Sequence, residues 1–114
     1  MSIDIKVVSN DCKVTSDEMM KQLQTLIKLT AHNIEAGISA TIVTKDIIDT
    51  GNLLNSVGPA KQTDEAEWEV TVHADYAAYV EYGTTSMGDR PYVRPVVDDV
   101  QPKFHSGAKR IVGD

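Results

Sequence analysis

Ile3, Ile5 and Val7 alternate with Asp4 and Lys6, the two-residue period of a strand with one face buried. Ser9-Asn10-Asp11 then supplies turn chemistry, and the period changes. Met20, Leu23, Ile27, Ala31, Ile34 and Ile38 recur at steps of three and four, while Lys21, Gln24, Lys28, Asn33 and Glu35 take the other faces. This spacing predicts an amphipathic helix. Thr15 as N-cap, with Glu18 reaching back, forms a capping box at its start. The pattern runs on to about Thr44, a span of roughly 40 Å at 1.5 Å per residue. Gly37 and the β-branched run Thr41-Ile42-Val43 lower helix propensity in the last third, so the end is less sharply defined than the start.

Beyond it, Asp49 or Thr50 is expected to cap a short helix with Leu53, Leu54 and Val57 on its apolar side, stopped by Gly58-Pro59. Trp68, Val70 and Val72 alternate with Glu67, Glu69, Thr71 and His73, the clearest strand in the chain. A weaker strand near Val57 to Gln62 would complete a hairpin with it. Asp75 is placed to cap a helix over Tyr76 to Tyr82, with Gly83 as its left-handed terminator. Arg90 and Arg94 precede Pro91 and Pro95, which favours extended backbone at both arginines.

Pro95 suits the first turn of a last helix, whose stripe is Val96, Val97, Val100, Phe104, Ala108 and Ile111. Pro102 falls inside that stripe and is expected to kink or split it. The elements predict an α+β fold over residues 1–114 as one domain. A small antiparallel or mixed sheet packs against one long N-terminal helix, with short helices and a C-terminal helix.

Composition narrows the function more than the fold. Aromatic content is only 5%, so the core is expected to be mostly Val, Ile, Leu, Met and Ala. The net charge of −6 is spread over both halves. Such a surface repels polyanions, which argues against nucleic acid or an anionic membrane as partner. Cys12 is the single cysteine, so an internal disulfide is excluded. The first residues lack a basic segment followed by an apolar run, and nowhere do eighteen apolar residues run together. The expectation is a protein made and kept in a cytoplasm, or assembled into something there, without signal peptide or membrane span.

Ile47-Ile48-Asp49-Thr50-Gly51 resembles the active-site turn of aspartic proteases, where one Asp from each of two subunits activates water. Asn52 stands where that family has a small residue, the preceding residues read as helix, and the glycine-rich flap is missing. A retroviral-type protease is therefore a remote alternative, and a helix-capping turn accounts for the same residues. His32, His73 and His105 lack a second ligand at metal-binding spacing. Ser56, His73 and Asp75 could supply a hydrolase set, but no nucleophile elbow surrounds Ser56. No phosphate-cradling glycine pattern is present. The expectation is a protein that is not an enzyme, with no cofactor and no metal.

All four tyrosines lie in one segment with Arg90 and Arg94, and Asp75, Glu81 and Asp89 are interleaved among them. Pairing of the arginines with those acids, and tyrosine hydroxyls at the rim of a packed corner, is one reading. An assembly surface is the other, since Tyr and Arg are enriched in protein interfaces. Tyr76, Tyr79, Tyr82, Arg90, Tyr92 and Arg94 are the interface candidates.

Two blocks resemble a family of small proteins encoded among the head–tail joining and tail genes of long-tailed bacteriophages. The first is Asp49-Thr50-Gly51-Asn52-Leu53-Leu54-Asn55-Ser56-Val57. The second is Tyr76-Ala77-Ala78-Tyr79-Val80-Glu81-Tyr82-Gly83-Thr84, continuing through Met87 to Arg90-Pro91-Tyr92-Val93-Arg94-Pro95. Asp49, Thr50, Gly51, Leu53, Ser56, Gly83, Pro91 and Pro95 carry the structural motif. Asn52 replaces a commonly basic residue, and Thr85 alters the loop before Met87. The resemblance implies a structural virion protein of the neck or tail-completion type at the head–tail junction. It implies a homo-oligomeric ring, commonly six-fold, that joins the connector to the tail tube. Tail terminator or another minor tail protein is the alternative. The implied partners are further copies of the chain and the head-completion, connector, terminator or tail-tube proteins.

Overall fold

The computed structural model describes residues 2–8, 16–45, 50–74, 76–83, 88–89 and 91–113, with Thr50 by its backbone alone. The Ser9-Asn10-Asp11 turn, Cys12, Thr15, Asp49, Asp75 and Arg90 lie outside them, as does the loop 84–87. In chain order the elements are β1 (Ile3–Val8), α1 (Asp17–Thr44), α2 (Thr50–Asn55), β2 (Lys61–Asp64), β3 (Glu67–Val72), α3 (Ala77–Tyr82) and α4 (Arg94–Val112). The architecture is the expected α+β arrangement, with a three-stranded antiparallel sheet in the order β1-β3-β2.

α1 runs for 28 residues and sets the long dimension of a molecule 51 Å by 22 Å by 22 Å. Its N-cap is Ser16, one residue beyond the expected Thr15; the Ser16 hydroxyl accepts from the Met19 amide at 3.2 Å. The β-branched end stays helical because Ile38 and Ile42 are fully buried, and such packing outweighs a few tenths of a kcal/mol of propensity. Leu23, Ile27, Ala31, Ile34, Ile38 and Ile42 make one continuous buried stripe. The sheet meets that stripe with the cross-strand pairs Ile3–Val72, Ile5–Val70 and Val7–Trp68. Asp4–Thr71 and Lys6–Glu69 pair on the opposite face, as the two-residue period requires.

The hairpin is shifted from its expected place. β2 is Lys61–Asp64, and Val57 contributes only an isolated bridge to Val72. α2 ends at Asn55, before Gly58-Pro59, so those residues do not stop it. The Ser56 amide still bonds the Asn52 carbonyl at 3.1 Å, and the Ser56 hydroxyl donates to the Leu53 carbonyl at 2.6 Å. The Ser56 carbonyl and the Gly58 amide then bond His73 and Thr71, drawing the chain to β3. A side chain at Gly58 would stand 2.8 Å from the His73 imidazole and 3.1 Å from the Thr71 carbonyl, so glycine is needed for that approach.

α4 packs along α1 and continues as one helix through Pro102, so of the expected kink or split the split does not occur. A proline there removes the hydrogen bond to the Asp98 carbonyl. Asp98 and Pro102 are both exposed, so water can serve that carbonyl. The core consists of Val, Ile, Leu and Ala with Tyr92, and the methionines among the described residues lie outside it. No described helix is long and apolar enough to cross a membrane.

Candidate functional site

The segment between α3 and α4 folds into a corner built around one carboxylate. Glu81 lies on the α3 face that also buries Ala77 and Val80, and only 1% of it is exposed. Its Oε1 accepts from the amides of Tyr92 at 2.9 Å and Val93 at 2.8 Å. Its Oε2 accepts from the Arg94 amide at 3.1 Å and from Arg94 Nε at 2.9 Å. These amides belong to the start of α4, whose own N-cap residue, Val93, supplies no side-chain bond. The first amides of a helix lack intrahelical partners and carry partial positive charge. Glu81 therefore caps α4 from another element, a negative group at a positive helix end.

Arg94 extends the network outward. Its Nη2 donates to the Glu81 carbonyl at 3.1 Å and to Asp89 Oδ2 at 3.0 Å, and its guanidinium lies 5.5 Å from the centre of the Tyr82 ring. The hydrogen bonds to Glu81 and then Asp89 hold the guanidinium above its ordinary pKa. The expected pairing of the arginine with interleaved acids thus holds for Arg94, with Glu81 and Asp89 as its partners. Tyr92 lies behind the carboxylate with no exposed surface, and its hydroxyl donates to the Ala77 carbonyl at 3.0 Å. Burial first, then the nearby Glu81 charge, push that phenol's pKa well above the usual tyrosine value. Lys45, the C-cap of α1, donates to the Pro91 carbonyl at 2.8 Å and ties the corner to the long helix.

The interface candidates therefore separate. Tyr92 belongs to the interior, Tyr76 is partly buried, and Arg94 is half engaged in the corner. Tyr79 and Tyr82 present 49% and 65% of their surface to solvent. Gly83 has φ 81° and ψ 175°, a positive-φ conformation suited to glycine but outside the left-handed helical region expected of it. Pro95 stands in the first turn of α4, as read from the sequence.

The Asp-Thr-Gly block is helical at Thr50 and Gly51, unlike the strand-flanked turn of an aspartic protease. Leu53 of that block is fully buried, which makes it an anchor of α2 on the core. Ser56 donates to the Leu53 carbonyl rather than to a histidine. His32 lies 3.6 Å from Glu35 and beside the Trp68 ring, and no cluster of three metal-ligating side chains occurs among the described residues. Sequence reasoning paired Glu81 with arginine but missed its capping of α4. The available signal was position: Glu81 follows Ala77 by four residues, which places an acid on the buried face of α3.

No curated protein and no solved structure matches the chain at a significant level. Residues 5–83 match the family model described as "Bacteriophage HK97-gp10, putative tail-component", a span that begins in β1 and closes on the glycine after α3. On that match, the chain belongs to the HK97-gp10-like family of bacteriophage tail components.

Proposed function

We propose that this tail-family protein acts without catalysis, as a structural ring subunit at the junction between phage head and tail. Its work is binding: to further copies of itself and to the connector, terminator or tail-tube proteins on either side. The observation that supports this reading is the corner at α3. Glu81 and the Tyr92 hydroxyl are satisfied inside it and Arg94 is tied to Glu81 and Asp89, while Tyr79 and Tyr82 stand exposed on it. Large aromatic side chains on a rigid support are suited to anchor a protein interface, because little conformational freedom is lost on contact.

Removing the gene from the phage or prophage that encodes it tests this reading. Electron microscopy should then show filled heads and separate tails, with infectivity restored by supplying the protein in trans. Normal infectious particles without the protein would sink the assignment. Tails of abnormal length would favour the tail-terminator alternative instead.

A further inference from the structure

The two edges of the sheet differ in a way the corner does not explain. β2 is four residues long, each of them exposed, and its register with β3 shifts between Gln62 and Asp64. A short, polar, irregular edge is the usual protection against strand pairing. β1 has six residues in unbroken register with β3, no proline, and Ile3, Ile5 and Val7 on its helix-facing side. Among the described residues β1 pairs with β3 alone. Its other edge opens on a groove of about 890 Å³ between β1 and α4, with Ile34, Val97, Val100, Phe104 and Ala108 among its lining residues. Val97, Val100 and Phe104 are only partly buried there.

We propose that this edge is the docking surface for β1 of a second copy of the chain, paired antiparallel about a two-fold axis centred on Ile5. The charge pattern selects the partner. With Ile5 opposite Ile5, Ile3 meets Val7 on the helix side, and Asp4 meets Lys6 twice on the outer side. Sliding the pairing by two residues either way sets Lys6 against Lys6 or Asp4 against Asp4, which repel. Sliding by one residue brings apolar positions against charged ones across the seam. Within one copy Lys6 already faces Glu69, and Asp4 accepts from the Thr71 hydroxyl at 2.8 Å. The pairing would extend this into a ladder of alternating sign across a six-stranded sheet, while the groove takes the apolar side chains at the seam. The contact uses neither Tyr79 nor Tyr82, so it stands independently of the ring reading.

Sedimentation of the full chain over a range of concentrations tests the proposal with Asp4→Lys and Lys6→Glu. Each variant alone places like charges opposite at both pairs. The expected result is a dimer for the wild type, with the dissociation constant of each single variant raised about tenfold or more. An equimolar mixture of the two variants restores opposite charges at both positions and should recover dimerisation to within about threefold of wild type on the same scale. Both positions are exposed in the monomer, and circular dichroism confirms that each variant is folded. As a second reading, Ile5→Cys in a Cys12→Ser background should form a covalent dimer on mild oxidation, whereas Lys61→Cys on β2 should not. A wild type that stays monomeric at several hundred micromolar, or single variants that dimerise as well as wild type, would overturn the proposal. So would a mixture that fails to recover.

Discussion

Replacing Glu81 by alanine removes the group that closes the start of α4. The amides of Tyr92 and Val93 then lose their acceptor in positions where both residues are buried. An unsatisfied buried amide costs about 1–3 kcal/mol. The Arg94 amide and guanidinium also lose an acceptor, but Arg94 is exposed and water can replace it. Two buried amides, less what water regains by entering the vacated space, give an expected loss of about 2–5 kcal/mol. That is a large share of the 5–15 kcal/mol typical of a whole domain. With a urea dependence of about 2 kcal/mol per molar, the unfolding midpoint should fall by roughly 2 M. Glu81→Gln keeps the shape and one acceptor oxygen, so its loss should be smaller, about 1–3 kcal/mol. Asp89→Ala touches only the exposed outer pair and should leave the midpoint unchanged within error. Urea unfolding followed by far-ultraviolet circular dichroism reads all three. A Glu81→Ala midpoint within 0.5 M of wild type, roughly 1 kcal/mol on that dependence, would refute the capping argument.

Two glycines in helices should respond in opposite directions. A Cβ at Gly37 would stand 2.8 Å from Val96 Cγ1, so Gly37→Ala should push α4 off α1 and cost about 1–3 kcal/mol despite better helix propensity. At Gly107 the neighbours are the ends of Leu26 at 3.1 and 3.2 Å, a flexible side chain. Gly107→Ala should therefore be neutral or stabilise by up to about 1 kcal/mol; thermal unfolding of both variants is the check. Tyr92 supplies a pH prediction. Its pKa is raised in the folded state, so its share of stability is full below the unfolded value of about 10 and is lost as pH rises beyond it. Absorbance titration at 295 nm should show tyrosinate from Tyr92 appearing only with alkaline unfolding. A fully reversible titration of every tyrosine in the folded protein would contradict this.

The long helix, β1 and β3 were legible because each presents a clean period over many residues, and the buried stripe from Leu23 to Ile42 is that period realised. What escaped the sequence were places where one element satisfies another. Pro102 reads as a breaker until it and Asp98 are seen to be exposed, and the group that caps α4, Glu81, sits twelve positions before Val93 in another helix. Thr15 was the cap expected for α1, whereas the cap is Ser16, fixed by its hydroxyl accepting from the Met19 amide in the first turn. At the corner, the composition was equally consistent with packed tyrosines and with exposed ones. The fold divides them, with Tyr92 inside and Tyr79 and Tyr82 outside, a division that depends on which face of α3 meets the core.

Complementation of phage lacking this gene tests the central claim most directly, comparing the wild-type chain with a Tyr79→Ala, Tyr82→Ala double variant confirmed as folded. The account predicts joined, infectious particles with the wild type. With the double variant it predicts unjoined heads and tails by electron microscopy and infectivity reduced at least a hundredfold, the loss of about 3 kcal/mol expected when two interface anchors are removed. Full infectivity with the double variant would contradict the assignment of the α3 corner as the assembly surface.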